Sequence, residues 1–259
     1  MRIVSLACSN TEIVHALGCA HLLVGVDDHS DWPPDVVDPL PRVGPDLDID
    51  LDLVAALEPD LVLATLTVPG HERVVARLEE AGLPYIAPEP VSLEDVYRDV
   101  RDIAQRLGVA QRAEDVIAGM RRELDAPEPS SDAPTVLIQW WPKPVITPGR
   151  LSWATDVLHA AGGRAVLDGE DVKSRPMSDE EVARCAPDAV VMSWCGVDPA
   201  KYRPEVVLRN PVWADLAFVR ESRVHSVGEP FLGRPGPRLV EGVRRLRRIV
   251  EGLRPAQAN

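Results

Sequence analysis

Cys8, His71 and Glu72 are the residue types that make a nucleophile and its base, provided the loops carrying them converge. No nucleophile elbow, phosphate loop or HExxH segment accompanies them, so catalysis is not the preferred reading. Asp27-Asp28-His29-Ser30-Asp31 offers three acids and an imidazole to a metal, yet turns select Asp and Ser for their own backbone hydrogen bonds, and the turn reading is preferred. The alternation from Asp46 to Asp52 lacks the central glycine and the distal glutamate of a calcium loop. Asp50 is assigned instead to capping a helix over 51–57. Cys8, Cys19, Cys185 and Cys195 form no CxxC pair, which argues against structural zinc. They read as small buried thiols, with Cys8–Cys19 and Cys185–Cys195 disulfides left open.

The stronger chemical signal is aromatic. Aromatic residues make up only 4% of the chain, yet Trp140 and Trp141 are adjacent, and Trp32 stands between Asp31 and two prolines. With Trp194 and Phe231, all fall just beyond the carboxyl ends of expected strands, where open α/β sheets gather their ligands. Such positions suit a large, flat or apolar ligand with a few polar edges.

The strands that carry these residues are apolar runs: 3–7, 22–26, 61–64, 85–87, 135–139, 189–193 and 224–227. Helices are expected over 11–17, 71–81 and 239–253, the last with Arg244, Arg245, Arg247 and Arg248 as a solvated face. Between the lobes, a capped and amphipathic run begins at Ser92 and ends at Gly108, and a second continues over 110–124. Thr11-Glu12-Ile13-Val14-His15-Ala16-Leu17-Gly18 reappears as Thr155-Asp156-Val157-Leu158-His159-Ala160-Ala161-Gly162. Glu58-Pro59-Asp60-Leu61-Val62-Leu63 reappears in the same order as Ala186-Pro187-Asp188-Ala189-Val190-Val191. The expected fold is therefore α/β, two Rossmann-like lobes with parallel sheets over 1–91 and 132–259, with linking helices over 92–131.

A chain of 259 residues has room for two such cores. Its 28 Lys and Arg against 41 Asp and Glu, a net charge of −13, disfavour nucleic acid and anionic membranes as partners. The N-terminus runs straight into a strand pattern, so either the chain stays in the cytoplasm or a leader has been removed.

Ile3 to Glu12 with its Ser-Asn-Thr-Glu, Val24-Gly25-Val26 with Ser30-Asp31-Trp32-Pro33-Pro34, Ala55 to Val62, and Pro148-Gly149 ahead of Ala161-Gly162-Gly163 resemble the helical-backbone substrate-binding proteins of ABC importers. Among these they are most similar to the vitamin B12-binding type, over nearly the whole chain. The resemblance implies a non-catalytic protein, a monomer, with two lobes bridged by one long rigid helix. It implies a cobalamin or related corrinoid held between the lobes and an ABC permease as partner. By position, Ser9, Asn10, Trp32, Thr65, Leu66, Thr67, Gln139, Trp140, Trp141 and Phe231 would touch the corrinoid, and Glu72 would dock on permease arginines. Trp194 would supply further aromatic surface, because the B12 type has a tryptophan where this chain has Thr65 or Leu66. Where the second lobe of that type has its docking glutamate, this chain has Gly233 or Arg234. A ferric siderophore or haem is the alternative ligand in the same fold, with Arg234 among the few basic residues available to an anionic chelate. A cytoplasmic corrinoid-handling protein is the alternative if the N-terminus is native. His71 is the best placed imidazole for a ligand metal, and no resident cofactor is expected.

Overall fold

A computed structural model describes residues 1–254 and divides the chain into two compact units: Met1–Pro90 with Glu94–Gly119, and Val91–Leu93 with Met120 onward. The first unit contains β1 (Ile3–Ser5), α1 (Cys8–Ala16), β2 (Leu23–Val26), α2 (Pro34–Val37), α3 (Leu51–Ala56), β3 (Leu61–Leu63), α4 (His71–Glu80) and β4 (Tyr85–Ile86). Its sheet is wholly parallel, in the order β2-β1-β3-β4. The strands are short and, β4 apart, almost continuously apolar because helices cover both faces. Val4 and Val62 pack with Val54, Val74 and Leu78 in one core.

Two helices follow, α5 (Leu93–Arg106) and α6 (Ala110–Leu124), and the division between units falls inside α6. Val96, Val100, Ile103 and Ala104 bury one stripe of α5, which Leu107 continues just past its end. Gly108, at φ 71°, takes the left-handed position that ends the helix, as its type and place predict.

The second unit holds β5 (Thr135–Gln139), β6 (Trp141–Pro142), β7 (Val145–Pro148), α7 (Trp153–Ala160), β8 (Arg164–Ala165), β9 (Ser174–Met177), α8 (Asp179–Cys185), β10 (Ala189–Met192), α9 (Glu205–Leu208), α10 (Ala217–Arg220), β11 (Val224–Ser226) and α11 (Leu239–Leu253). Its main sheet, β11-β10-β5-β8, is parallel, and read from β8 it repeats the order of the first. A small antiparallel sheet, β6-β7-β9, is the one the sequence did not announce, since strands of two and four residues leave little period to read. Leu137, Val190, Trp213 and Phe218 centre the core.

The repeated Pro-Asp pairs have a shared structural task. Asp60 accepts the backbone N–H of Arg2 at 2.6 Å, and Asp188 that of Thr135 at 2.8 Å. Each carboxylate thus ties the start of β3 or β10 to the start of the neighbouring β1 or β5. Glu58 (φ 46°) and Ala186 (φ 42°) reverse the chain just before. Asp188→Ala should accordingly cost about 1–2 kcal/mol in urea unfolding, the range for a charged acceptor at a half-exposed site. An unchanged midpoint would mean that solvent replaces the bond without loss.

Several expectations need correcting. α1 begins at Cys8, not Thr11, because Thr11 N–H already bonds Ala7 O at 3.1 Å; Ser9 and Asn10 are helical, not loop. Among the described residues no disulfide joins Cys8, Cys19, Cys185 or Cys195, and Cys185 and Cys195 are exposed rather than buried. Arg244 and Arg248 of α11 are exposed as expected, but Arg244 and Arg247 also pair with Glu123, and Arg245 with Glu241. Among the described residues no helix is long and apolar enough to cross a membrane.

Candidate functional site

In the first unit, α1 starts directly beyond β1, so its first turn faces the carboxyl ends of the sheet. Asn10 is 2% exposed and donates through Nδ2 to Ala64 O (2.7 Å) and Leu63 O (3.3 Å), fastening α1 to the end of β3. Ser9 is buried beside it. Thr11 donates to Ser5 Oγ (2.8 Å) and lies 2.9 Å from Ser30 Oγ, which in turn donates to Asp27 Oδ1 at 2.5 Å. Arg42 donates to the carbonyls of Asp27 (3.0 Å) and Ser30 (2.5 Å). The acidic run after β2 is therefore a turn braced from both sides, and it presents Trp32 half-buried, edge-on to His15 at 4.9 Å.

Beyond β3, Thr65 is buried with Oγ1 3.2 Å from Thr67 Oγ1, while Leu66 and Thr67 are half-buried and Val68 is exposed. His71 turns inward at 4% exposure. Its Nδ1 accepts from Val68 N–H (3.1 Å), and its Nε2 faces Asp46 Oδ2 (3.5 Å). The His71 imidazole beside it holds the Asp46 carboxyl below the usual carboxylate range. With Nδ1 occupied by Val68 N–H and Nε2 buried beside Asp46, His71 is not presented as a metal ligand or as a base for Cys8, whose sulfur lies 3.9 Å from Asp27 Oδ2. Glu72, by contrast, is exposed in the first turn of α4. Its own backbone N–H and that of Gly70 (2.8 Å) keep its carboxyl low, so it is a fixed outward anion.

In the second unit, Gln139 at the end of β5 is 1% exposed and accepts from Trp194 Nε1 at 2.9 Å. Trp194 is itself buried, its ring 5.1 Å from Tyr202, so it serves the core rather than an open surface. Burial pushes the Tyr202 hydroxyl up to about 12, and it donates to Trp194 O at 3.2 Å. Trp140 is half-buried against Trp153 (6.2 Å), whereas Trp141 on β6 is 42% exposed. Phe231, in a 3-10 turn over Glu229–Phe231, lies under the guanidiniums of Arg245 (4.1 Å) and Arg238 (4.8 Å). Arg234 is 7% exposed and bonded to Glu229 Oε2 at 3.0 Å, so its charge is already matched.

Sequence reasoning missed Trp153, whose Nε1 donates to Leu232 O at 2.8 Å and which backs Trp140. The repeat could have found it: counted along the duplicated helix, Trp153 occupies the position of Ser9.

Parallel sheets with polar caps and half-exposed indoles beyond their carboxyl ends define a solute-binding protein built of two α/β units. The chain matches the periplasmic binding protein family over residues 3–230 and belongs to it. It is 30% identical over 257 residues, 95% of its own length and 78% of the relative's, to an uncharacterised ABC transporter substrate-binding lipoprotein, YvrC, of Bacillus subtilis (strain 168). A vitamin B12-binding protein of Vibrio cholerae is 25% identical, covering 93% of this chain and 86% of that one. The solved structure of the periplasmic heme-binding protein RhuT from Roseiflexus sp. RS-1 superposes with a TM-score of 0.81 at 27% identity, over 97% and 98% of the two chains. This protein is accordingly the non-catalytic solute-binding component of an ABC importer, which implies a bound solute and a membrane permease.

Proposed function

We propose that the solute is cobalamin or a related corrinoid, captured outside the cytoplasm and delivered to the permease with Glu72 as one docking point. The observation that carries this reading is the pairing of partly exposed indoles with a buried imidazole. Trp32, Trp140 and Trp141 offer flat apolar faces, while the loop beyond β3 presents only Thr65, Leu66, Thr67 and Val68 and turns His71 inward. A haem iron calls for an axial His, Tyr, Cys or Met from its protein, whereas cobalamin brings its own lower ligand and asks chiefly for aromatic and polar contact.

Haem is the second reading, favoured by His29. Its ring is 51% exposed beyond β2 and lies 4.0 Å from Asp46, a carboxylate placed to orient it.

Tryptophan fluorescence and corrin absorption, followed during titration with cyanocobalamin, aquocobalamin and haemin, test both. Saturable quenching by the cobalamins is expected, with Trp32→Ala or Trp140→Ala weakening it about tenfold, the equivalent of ~1.4 kcal/mol. A flat response to both cobalamins at tens of micromolar rejects the corrinoid. A new Soret band with haemin, lost in His29→Ala, would then assign haem, and silence towards all three would point to ferric siderophores.

A further inference from the structure

Beside the outer edge of β4, wholly within the first unit, lies a pocket of about 730 Å³ that none of the predicted ligand residues line. One wall is Ile86 to Glu89; the other is a face of α5 bearing Arg98, Asp99, Asp102 and Arg106. Asp99 is only 6% exposed, yet its Oδ2 has no hydrogen-bond partner. Its other oxygen lies 3.4 Å from Arg98 Nη2, and Arg98 is drawn away by a 2.6 Å bond to Asp95. A buried carboxylate oxygen without a donor is costly, and a bound donor carrying positive charge would relieve it.

The lining holds three carboxylates against two guanidiniums, so its balance favours a cation. A bare metal ion does not fit, because among the described residues no three His, Cys, Asp or Glu side chains are grouped to hold one. An ammonium group, with three donors and an attached carbon chain, reaches acceptors set further apart. The volume lies within the range of small-molecule sites, and Ile86, Ala87 and Pro88 form an apolar flank for such a chain.

We propose that this pocket binds a small organic amine, whose ammonium donates to Asp99 Oδ2 while Asp102 and Glu89 add opposite charge. Burial raises the Asp99 carboxyl to about 6, with Arg98 opposing that rise and Asp95 and Asp102 reinforcing it. Glu89 and Arg106 complete the charged groups around the pocket. Amine affinity therefore increases as pH rises from 5 to 7.5 and Asp99 ionises.

The test is calorimetric titration of the full chain in 0.15 M salt with putrescine and n-butylamine, and with butyrate as the opposite charge. Saturable binding of the amines but not butyrate is expected, weakened at least tenfold in the isosteric Asp99→Asn and strengthened several-fold from pH 5 to 7.5. Asp102→Asn should weaken it less, and keeps the proposal testable should Asp99→Asn fold poorly. No saturable heat with either amine, equal affinity in wild type and Asp99→Asn, or a flat pH profile would overturn it. Because Asp99→Asn should leave corrinoid titration unchanged, the amine site stands or falls separately from the corrinoid reading.

Discussion

Gly242→Ala is expected to destabilise the protein by about 3 kcal/mol, although the same change inside an exposed helix normally stabilises by up to ~1 kcal/mol. Gly242 lies on the buried face of α11, where the helix passes against the turn carrying Phe231. A Cβ there would press into the carbonyl oxygen of Phe231, with its carbonyl carbon at 3.1 Å and Leu232 Cδ2 at 3.2 Å. Backbone cannot move aside as a flexible side chain can, so helix and turn must separate. Gly252, on the same helix with open space where a Cβ would sit, is the control, and Gly252→Ala should gain a few tenths to ~1 kcal/mol. Urea unfolding of both variants decides the matter; a Gly242→Ala protein as stable as wild type would show that the close approach is not required. The change should also shift Phe231 from beneath Arg238 and Arg245, so ligand titration of any folded fraction reports on that ring's contribution.

Asp99 should make stability fall as pH rises, the reverse of the usual carboxylate. Its folded pKa, about 6, lies above the ordinary 3.8, chiefly through burial. Its favourable contribution is therefore complete below pH ~4 and is lost as pH climbs through 6. Roughly two pH units of displacement set an upper bound of ~3 kcal/mol. Other carboxyls, among them Asp46 and Glu123, are held low and act in the opposite sense, their contribution being lost as pH falls. The informative quantity is thus the difference between Asp99→Asn and wild type. That difference should grow by ~1–3 kcal/mol in favour of the variant between pH 4 and 8. Parallel stability curves would show that Asp99 is not a buried carboxylate in solution.

Much of this was legible in the sequence where it depends on neighbours a few residues apart. The stripe of α5, the Gly108 stop, Asp50 capping α3 through Leu53 N–H at 3.0 Å, and the span of α11 all follow from periods and caps. The repeated Pro-Asp and helix segments foretold two units of similar build; that their strand orders also agree was shown only by the structure. α1 starts three residues before the expected 11–17, and Asn10 answers to carbonyls at the end of β3, more than fifty residues away.

The chemistry divides along the same line. Sequence alone determined that indoles and polar groups gather beyond the strand ends, that the chain is acidic, and that its likeness is to importer binding proteins. Only the tertiary structure decided which of those groups are exposed and which are buried. Trp194 bonds Gln139 across 55 residues, Arg234 is matched by Glu229, and His71 is held between Val68 and Asp46, while Trp141 stays open and Trp32 and Trp140 half-open. The reason is physical: most buried polar atoms find a partner, and which partner comes within about 3 Å is settled by long-range packing that no local pattern of residue types records.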